Sequence, residues 1–321
     1  MNKSKYTNYN DLPLMLSVPD VASVLGISRA GAYELVRSDG FPSLRIGSRI
    51  IVPKEKFIDW VNINTSCLSE HIASSIFNML GVDAQKTMLG TFSIEGKEKV
   101  VCACQDFTAN GKQLFDFCSI KNTVLDSETN GTGTELDDIL DTIEKQTFVD
   151  PLILTEHFWN MFVVDALLGN FDRHNGNWGF LYDSAARRSC IAPVFDCGSC
   201  LLPQANEEIM RAVLSDEREL NARIYTFPAS AIRQQDKKIN YYDFLTSTDN
   251  ADCISAVKRI YERIDIAQIT EFIESVPYIT ELQKGFYERY VSARYDLILR
   301  PAYEMAMVQS QDDGWTMSEL Q

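Results

Sequence analysis

The stretch LLGNFDRHNGNWGFLYD, residues Leu167–Asp183, sets the class of fold, because it places Asp172 five residues before Asn177 in a loop that follows an apolar helix. A second aspartate, Asp196, comes thirteen residues after Asp183, in PVFDCGSC, residues Pro193–Cys200. Phosphoryl transfer needs a carboxylate that accepts or orients the substrate hydroxyl, and it needs an amide oxygen and a second carboxylate that hold Mg²⁺ against the phosphates. Asp172 suits the first role, and Asn177 with Asp196 suits the second.

Each of these motifs taken alone has a structural explanation, since Asp and Asn in a Gly-containing loop are common turn formers. Taken together they are more specific. The interval from Asp172 to Asn177 equals that of the protein-kinase catalytic loop, and Asp196-Cys-Gly stands where protein kinases carry Asp-Phe-Gly. The joint pattern predicts a kinase-like fold, whereas activity has to be argued from the site.

Length and composition favour a globular protein of two domains. The chain has 321 residues, of which 45% are hydrophobic, enough for a sizeable core. The apolar run from Phe158 to Leu168 is interrupted by Asp165 and is too short to cross a bilayer, and residues 1–13 contain no apolar signal segment. We therefore expect a cytoplasmic protein without a membrane partner, in which residues 1–13 are a flexible N-terminus.

The eight cysteines include a C-x-C at Cys102 and Cys104 and a C-x-x-C at Cys197 and Cys200. A structural zinc site would need four ligands at finger or ribbon spacing, and the sequence has no second C-x-x-C. We expect reduced, mostly buried thiols.

Charge is distributed unevenly along the chain. Residues 1–62 hold eight Lys and Arg against six Asp and Glu, a net charge of +2, whereas the remaining 259 residues hold twenty-two against thirty-nine, a net charge of −17. An overall charge of −15 argues against generic nucleic-acid binding by the whole protein. It is compatible with a small DNA-reading head, residues 14–62, on an acidic body.

The head has the pattern of helix, turn, helix, wing and helix. Apolar residues recur at helical spacing from Val18 to Leu25. In FPSLRIGSRIIVP, apolar and polar residues alternate around Gly47, which predicts a β-hairpin wing. The basic and aromatic candidates for DNA contact on the second helix and the wing are Arg29, Tyr33, Arg37, Arg45 and Arg49.

Residues 14–62 resemble the excisionase-type and MerR-like winged helix-turn-helix families. The resemblance implies that Arg29 and Tyr33 approach bases while Arg37, Arg45 and Arg49 contact the DNA backbone. It also implies double-stranded DNA as the partner, and a homodimer, because one head alone binds an operator weakly. The alternative is a helical packing module whose arginines are only solvated.

The body begins with a segment of helical pattern, SCLSEHIASSIFNMLGV, followed by two strand-like runs, KTMLGTFSI and KEKVVCACQDF, that EGK joins as a hairpin. Residues 111–134 have the pattern of a long loop that leads into a helix near Glu135. The apolar segment before the catalytic stretch predicts a helix, and the chain after Asp196 is expected to be mostly helical.

Residues 66–300 resemble the HipA-like and CtkA-like bacterial serine/threonine kinases, through SEHIASSIFNMLGV, GNFDRHNGNWGFL and APVFDCGSCL in that order. The resemblance implies an α+β fold, with a HipA-like, protein-kinase-like domain at 66–307 that has a reduced N-lobe and a mostly helical C-lobe, and then a polar tail at 308–321. It implies that ATP, Mg²⁺ and a Ser/Thr-containing protein are the reactants, and that Asp172, His174 and Asn177 form the catalytic loop, which His174 supports.

Part of the expected nucleotide site is missing from the sequence. Members of the resembled family carry a glycine-containing phosphate loop and a strand lysine before the helix that matches residues 66–81, where this chain carries the head. Glu70 matches the glutamate partner of that lysine, and we place it with Asn177 and Asp196 as a nucleotide-side residue. The glycine cluster NGTGTEL, residues 130–136, could cradle an anion but lies in the wrong place for the family's loop.

These observations leave functions of different classes open. The first is an ATP- and Mg²⁺-dependent serine/threonine kinase linked to a DNA-binding head, acting as a toxin or a regulator. The alternative is a transcriptional regulator whose pseudokinase body senses nucleotide or recruits a partner without transferring phosphate. A third possibility is a fusion without function.

Overall fold

The structure, a computed structural model, describes residues 12–25, 29–37, 41–47, 49–57, 66–94, 97–109, 111–125 and 131–318. Most of the segment expected to be a flexible N-terminus therefore lies outside the described residues. The chain divides into two compact units. One comprises Met1–Thr65 with Gln204–Ile209, and the other comprises Ser66–Pro203 with Met210–Gln321.

In its described residues, the head contains a three-stranded antiparallel sheet and two helices. Strand β3 (Arg49–Pro53) pairs with both β1 (Met15–Ser17) and β2 (Leu44–Ile46). Helices α1 (Val18–Leu25) and α2 (Arg29–Leu35) come between β1 and β2 in the chain, which is the predicted order of helix, helix and wing. Residues 54–57 form a helical turn, and the rest of the expected last helix lies outside the described residues.

One apolar core holds the head together. Leu16 and Val52 of the sheet, Val21 and Ala32 of the helices, and Phe57 are all completely buried. Burying an apolar side chain larger than alanine contributes about 1.5–3 kcal/mol. The helices are therefore fixed on the sheet by their apolar faces, and their polar faces remain in solvent.

The body begins with helix α3 (Ser66–Met79), which packs against a hairpin of β4 (Thr87–Ile94) and β5 (Lys97–Cys104). The helix predicted from this segment is confirmed, and Leu68 and Ile76 are among its buried apolar residues. The helix and the hairpin form the reduced N-lobe.

Residues 111–134 differ from the expected long loop. Strand β6 (Lys112–Asp116) pairs with β7 (Gly179–Asp183), which pairs with β8 (Arg188–Ile191) in a three-stranded antiparallel sheet. Helix α4 (Phe117–Leu125) follows β6 directly. The loop prediction was wrong because the strand pairs with a segment far along the chain, and no local pattern shows such a partner.

Helix α6 (Pro151–Leu168) lies at the centre of the C-lobe. The Asp150 side chain accepts a backbone N–H of the first turn at 2.9 Å, and Pro151 takes the first helical position, where the missing N–H costs nothing. The helix ends at Gly169, with φ +65°, and a Cβ there would collide with the hydroxyl of Tyr290. Neither this helix nor any other described helix is long and apolar enough to cross a membrane.

The remaining helices of the body are α5 (Leu136–Lys145), α7 (Glu207–Ser215), α8 (Glu217–Asn221), α9 (Tyr241–Ser247), α10 (Ala251–Tyr261), α11 (Ile266–Ser275), α12 (Glu281–Arg294) and α13 (Arg300–Ser318), with π-helical segments at Ala222–Thr226 and Tyr295–Leu299. The chain after Asp196 is therefore mostly helical, as expected, except for a short hairpin of β9 (Arg233–Gln234) and β10 (Lys237–Lys238). The helix α13 continues to Ser318, so the polar tail expected from residue 308 is helical over its described part.

All eight cysteines are free thiols. Only Cys197, Cys200 and Cys253 are buried, so the expectation of mostly buried thiols was wrong.

Candidate active site

The predicted catalytic loop starts where helix α6 ends, and Asn170 fixes its first residues. The side-chain amide nitrogen of Asn170 donates to Asp165 at 2.8 Å, and its Oδ1 accepts the backbone N–H of Asp172 at 2.9 Å. The hydroxyl of Tyr241 donates to the backbone oxygen of Asn170 at 2.6 Å. Because Asn170 is completely buried, these bonds orient the chain just before Asp172.

Local hydrogen bonds then close the loop around Asp172 and Asn177. The backbone N–H of His174 donates to the backbone oxygen of Asp172 at 2.8 Å, and the backbone N–H of Asn177 donates to the backbone oxygen of His174 at 3.0 Å. The side-chain Nδ2 of Asn177 also donates to the backbone oxygen of Asp172, at 3.0 Å. This bond uses the amide nitrogen of Asn177 and leaves Oδ1 as the atom able to bind a cation.

His174 makes a contact within the loop. Its Nδ1 accepts the backbone N–H of Gly176 at 3.0 Å, so the proton of the neutral ring is on Nε2. A Cβ at Gly176 would lie only 3.0 Å from the His174 ring, so glycine at this position leaves the space that the ring occupies. A contact of this kind is what a loop-supporting role requires.

Arg173 joins the catalytic loop to the segment that carries Asp196. Its side chain and that of Asp165 are each 1% exposed and form an ion pair, with 3.0 Å between Nε and Oδ2. Its Nη1 donates to the backbone oxygen of Asn177 at 3.0 Å and to that of Phe195 at 2.6 Å. Since one nitrogen bonds both oxygens, the backbone of the catalytic loop at Asn177 lies beside that of Phe195, the residue before Asp196.

This role of Arg173 was not predicted from the sequence. The available signal was Asp165, the one charged residue in the apolar run from Phe158 to Leu168, because a buried carboxylate needs a partner. Burial alone would lower the pKa of Arg173, but the charge of Asp165 raises it well above the ordinary value. The guanidinium therefore remains charged in the interior, where its Nη2 also donates to the Sγ of Cys197 at 3.4 Å.

The carboxylates near the two loops influence one another. Burial raises the pKa of Asp172, the electrostatic effect of His174 lowers it, the negative charge of Asp196 raises it, and the charge of Lys238 lowers it. Burial also raises the pKa of Glu70, and Asp196 adds to that rise. Asp196 thus lies close enough to affect both other carboxylates, and carboxylates that repel one another favour a bound cation.

The backbone at Asp196 is in the left-handed region, with φ +57°. Asp tolerates this conformation better than most residues, but it still costs free energy, and such strain is concentrated at functional sites. The preceding residue, Phe195, places its ring 5.7 Å from that of Phe107, just after strand β5. The segment is thereby also tied to the N-lobe.

Glu70 of helix α3 bonds to the segment after Asp196. Its carboxylate accepts the backbone N–H of Cys197, and it accepts the Ser74 hydroxyl at 3.3 Å. Gly198 lies against it, since a Cβ there would be 3.6 Å from the Glu70 carboxylate. Glu70 thus holds the segment after Asp196 in place through a bond to the backbone of that segment.

The glycine segment 130–136 packs against the catalytic loop in its described part, from residue 131. The side-chain nitrogen of Asn175 donates to the backbone oxygens of Gly131 and Gly133 at 2.9 and 2.8 Å. The buried Lys121 donates to the same Gly133 oxygen at 2.6 Å. Gly131 has φ +76°, and a Cβ there would collide with the backbone of helix α4. The glycines serve close packing, and their carbonyl oxygens face the loop.

The donors of the site fit Mg²⁺. Asn177 offers Oδ1, and Asp196 offers an exposed carboxylate. Mg²⁺ takes few protein oxygens, because it keeps waters and binds substrate phosphates. Among the described residues, no three His, Cys, Asp or Glu side chains form a group that could hold a metal ion by themselves. A site of this kind therefore depends on the nucleotide for its remaining ligands.

The predicted DNA-reading residues of α2 lie at the surface of the head. Arg29, Tyr33 and Arg37 are exposed, whereas Ala32 and Val36 are buried. The guanidinium of Arg37 lies over the ring of Tyr33, 5.9 Å from its centroid. This cation–π contact orients both side chains on one exposed face.

The two wing arginines are also exposed. Arg45 pairs across the hairpin with Ile50, and Arg49 pairs with Ile46. The turn between them contains Gly47 with φ +61°.

Comparison with known proteins identifies both parts of the chain. A helix-turn-helix domain family matches residues 15–64, and the HipA-like C-terminal domain family matches residues 47–268. The two matches overlap in the wing and the segment after it. The second match covers more than half of the chain and confirms the α+β, HipA-like expectation.

The similarity is high to one kinase. The serine/threonine-protein kinase CtkA of Helicobacter pylori strain J99 is 47% identical over 256 residues, which cover 79% of this chain and 78% of CtkA. A crystal structure of an H. pylori proinflammatory kinase CtkA matches with a TM-score of 0.74 and 49% identity, covering 76% of this chain and 88% of that chain. A chain of the Shewanella oneidensis MR-1 complex of HipA, HipB and operator DNA matches with a TM-score of 0.51 and 17% identity, over 83% of this chain and 64% of that chain, and shows the shared fold. The chain therefore belongs to the HipA-like family, as a CtkA-related serine/threonine kinase body joined to an N-terminal helix-turn-helix domain.

Proposed function

We propose that this protein transfers the γ-phosphate of ATP to a serine or threonine of another protein, with Mg²⁺ as the metal ion. The observation that carries the proposal is the pair of bonds from Arg173 to the backbone oxygens of Asn177 and Phe195. These bonds keep the side chains of the predicted set on adjacent loops. The identity of 47% with the kinase CtkA supports the same class of reaction.

In this proposal Asp172 orients the substrate hydroxyl and accepts its proton. The hydroxyl oxygen forms the new bond to the γ-phosphorus, the bond from that phosphorus to the bridging oxygen of ADP breaks, and the proton passes to the Asp172 carboxylate. Burial raises the pKa of Asp172, which makes its ionised form a stronger base than an ordinary aspartate.

The other residues would bind the metal ion or hold the catalytic loop and the segment after Asp196 in position. Asn177 Oδ1 and the Asp196 carboxylate would hold Mg²⁺, which neutralises phosphate charge when it is bound. His174 is a positioning residue, since its ring bonds to Gly176 within the loop. Glu70 holds the segment after Asp196 through a backbone N–H.

We further propose that the head, residues 14–62, binds double-stranded DNA and that two copies of the chain bind two half-sites as a homodimer. The helix-turn-helix match and the net charge of +2 over residues 1–62 support this part of the proposal. The contacts would come from the exposed residues Arg29, Tyr33, Arg37, Arg45 and Arg49.

The test is transfer of label from γ-labelled ATP by the full chain in Mg²⁺, to itself and to general acceptors such as casein. Asp172→Asn should lower incorporation by about 10²-fold or more, because the proton acceptor is lost. Asp243→Asn, an exposed carboxylate in the first turn of α9, is the matched control and should leave incorporation unchanged. Incorporation that is the same in wild type and Asp172→Asn would exclude the kinase proposal.

The second candidate is a regulator whose body binds nucleotide without transfer. The partners of Glu70 favour it, because the carboxylate bonds to Cys197 and Ser74, whereas in members of the resembled family it pairs with a strand lysine. Loss of that lysine would weaken electrostatic stabilisation of the transferred group. A rise of Tm with Mg-ATP but no transfer would select this candidate, and transfer that depends on Asp172 would exclude it.

A further inference from the structure

The β9–β10 hairpin is fixed next to the catalytic loop at both of its ends. At the start of its first strand, the backbone N–H of Arg233 donates to the backbone oxygen of Thr134 at 2.9 Å. Thr134 is one residue after Gly133, whose oxygen bonds to Asn175 of the loop. After its second strand, Tyr241 donates to the oxygen of Asn170 at 2.6 Å. The hairpin therefore has a defined position beside the residues that precede and follow Asp172.

The hairpin turns tightly and is fixed at its tip as well. Gln235 and Asp236 both have positive φ, 52° and 63°, which is a two-residue turn of the kind that matches strand twist. The backbone N–H of Asp236 donates to the Glu135 carboxylate at 3.2 Å. Neither turn residue is glycine, so the conformation costs free energy that the surrounding contacts must offset.

Three exposed cations project from this hairpin, although the body carries a large negative charge. Lys238 pairs directly with Arg233 across the strands, and Lys237 pairs with Gln234. An acidic group between Arg233 and Lys238 would be attracted to both cations, whereas Lys237 lies on the other face of the hairpin and pairs with the uncharged Gln234.

The hydrogen bonds of the hairpin place this pair beside the loop that carries Asp172. Arg233 bonds to Thr134, next to the Gly133 that bonds to Asn175, and Tyr241 bonds to Asn170, so the hairpin flanks the catalytic loop on both sides of Asp172. The charge of Lys238 also lowers the pKa of Asp172, in agreement with this position. An anion held by the Arg233–Lys238 pair would consequently lie near the substrate hydroxyl.

We propose that Arg233 and Lys238 bind an acidic side chain of the protein substrate beside the phosphoacceptor, so that the enzyme selects Ser or Thr in an acidic context. The assignment rests on the proposed kinase function and names its class of substrate. The Glu135 carboxylate is near the same hairpin and accepts the backbone N–H of Asp236. The Nε of Arg233 donates to the backbone oxygen of Asp236 at 3.2 Å. These bonds hold the turn and the Arg233 side chain in place.

The experiment uses the full chain and two fluorescent peptides with a central serine, one flanked by glutamates and the other by glutamines. Binding is measured by anisotropy with Mg²⁺ and a non-hydrolysable ATP analogue, and transfer is measured with ATP. The double variant Arg233→Gln/Lys238→Gln is compared with Lys237→Gln and with wild type. The exposed positions of all three residues make loss of folding a small risk, and circular dichroism checks it.

Wild type should bind the glutamate peptide more tightly than the glutamine peptide, by about fivefold for each cation engaged. The preference should disappear in the double variant, persist in Lys237→Gln, and weaken at high salt. The KM for ATP should stay unchanged in all variants.

Equal binding of the two peptides by wild type, or an equal loss in Lys237→Gln, would overturn the assignment. A rise in the KM for ATP without a change for the peptide would overturn it too, because the pair would then serve a nucleotide phosphate. Selective binding of the glutamate peptide without any transfer would leave the acidic-site inference standing and would contradict the kinase proposal instead.

Discussion

Arg173 and Asp165 form an ion pair of 3.0 Å between two side chains that are each 1% exposed. The pair lies where helix α6 passes into the catalytic loop, and the same guanidinium bonds to the Phe195 backbone at 2.6 Å. The relative position of the two loops of the active site therefore depends on a residue outside the catalytic pattern.

Arg173→Met should destabilise the body by about 3–5 kcal/mol, because it leaves Asp165 buried without its counter-charge. Urea unfolding followed by circular dichroism measures the loss. Adding Asp165→Asn to that variant should recover part of it, since the unpaired charge is then gone. The exposed Arg218→Met should leave the unfolding midpoint unchanged. An Arg173→Met variant that is as stable as wild type would contradict the role given to the ion pair.

Phosphate transfer should be lost at acid pH with a midpoint above the ordinary aspartate value of about 3.9, because only ionised Asp172 accepts the proton and burial raises its pKa. Lys238→Gln should move this limb to higher pH, since the charge of Lys238 lowers that pKa. The pH profile of kcat/KM measures both effects. Lys237→Gln should keep the wild-type profile, and a limb that shifts downward in Lys238→Gln would refute the proximity of the two groups.

Glu70 offers a test through stability. Its pKa is raised in the folded state by burial and by Asp196, so folding favours the protonated form. As pH rises above the ordinary glutamate value of about 4.3, the unfolded chain ionises first and the folded state loses stability. Glu70→Gln lacks this charge, and its amide oxygen can still accept the Cys197 N–H.

We therefore expect Glu70→Gln to have a higher Tm than wild type at neutral pH without divalent cations, and the difference should shrink as pH falls toward the ordinary glutamate value. Thermal unfolding at a series of pH values measures this. Glu144→Gln, an exposed change on helix α5, is the control. A variant less stable than wild type at neutral pH would mean that the ionised carboxylate stabilises the fold.

Substitutions of the exposed arginines of the head should weaken DNA binding and leave the stability and activity of the body unchanged. Arg37→Gln and Arg45→Gln should each weaken binding to duplexes enriched from a random pool, and each should lower the slope of log K against log salt by about one. Fluorescence anisotropy at several salt concentrations measures both values. Asp172→Asn should bind DNA as wild type does, and unchanged binding by both arginine variants would favour a packing role for the head.

Several elements could be predicted because their signals are local. Helix α6 has a capping aspartate, a first-turn proline and a final glycine at Gly169. The hairpin β4–β5 consists of two β-rich runs that are separated by only two residues in the sequence. The spacing of Asp172 and Asn177 is likewise local, since both belong to one loop that backbone hydrogen bonds close.

The remaining parts depend on partners that are distant in sequence. Arg173 bonds to the backbone of Phe195, and strand β6 pairs with β7. Because both partners are far along the chain, no local sequence pattern predicts either feature. The same holds for Lys238, whose charge lowers the pKa of Asp172 although that residue lies far earlier in the chain. Burial and cross-strand pairing decide such features, and they emerge only once the chain is folded.

A crystal structure of the full chain with Mg²⁺ and a non-hydrolysable ATP analogue tests the central claim most directly. We predict that the metal ion binds Asn177 Oδ1 and the Asp196 carboxylate, with the terminal phosphate beside Asp172. A metal ion held by other side chains, or a nucleotide bound away from these two loops, would contradict it.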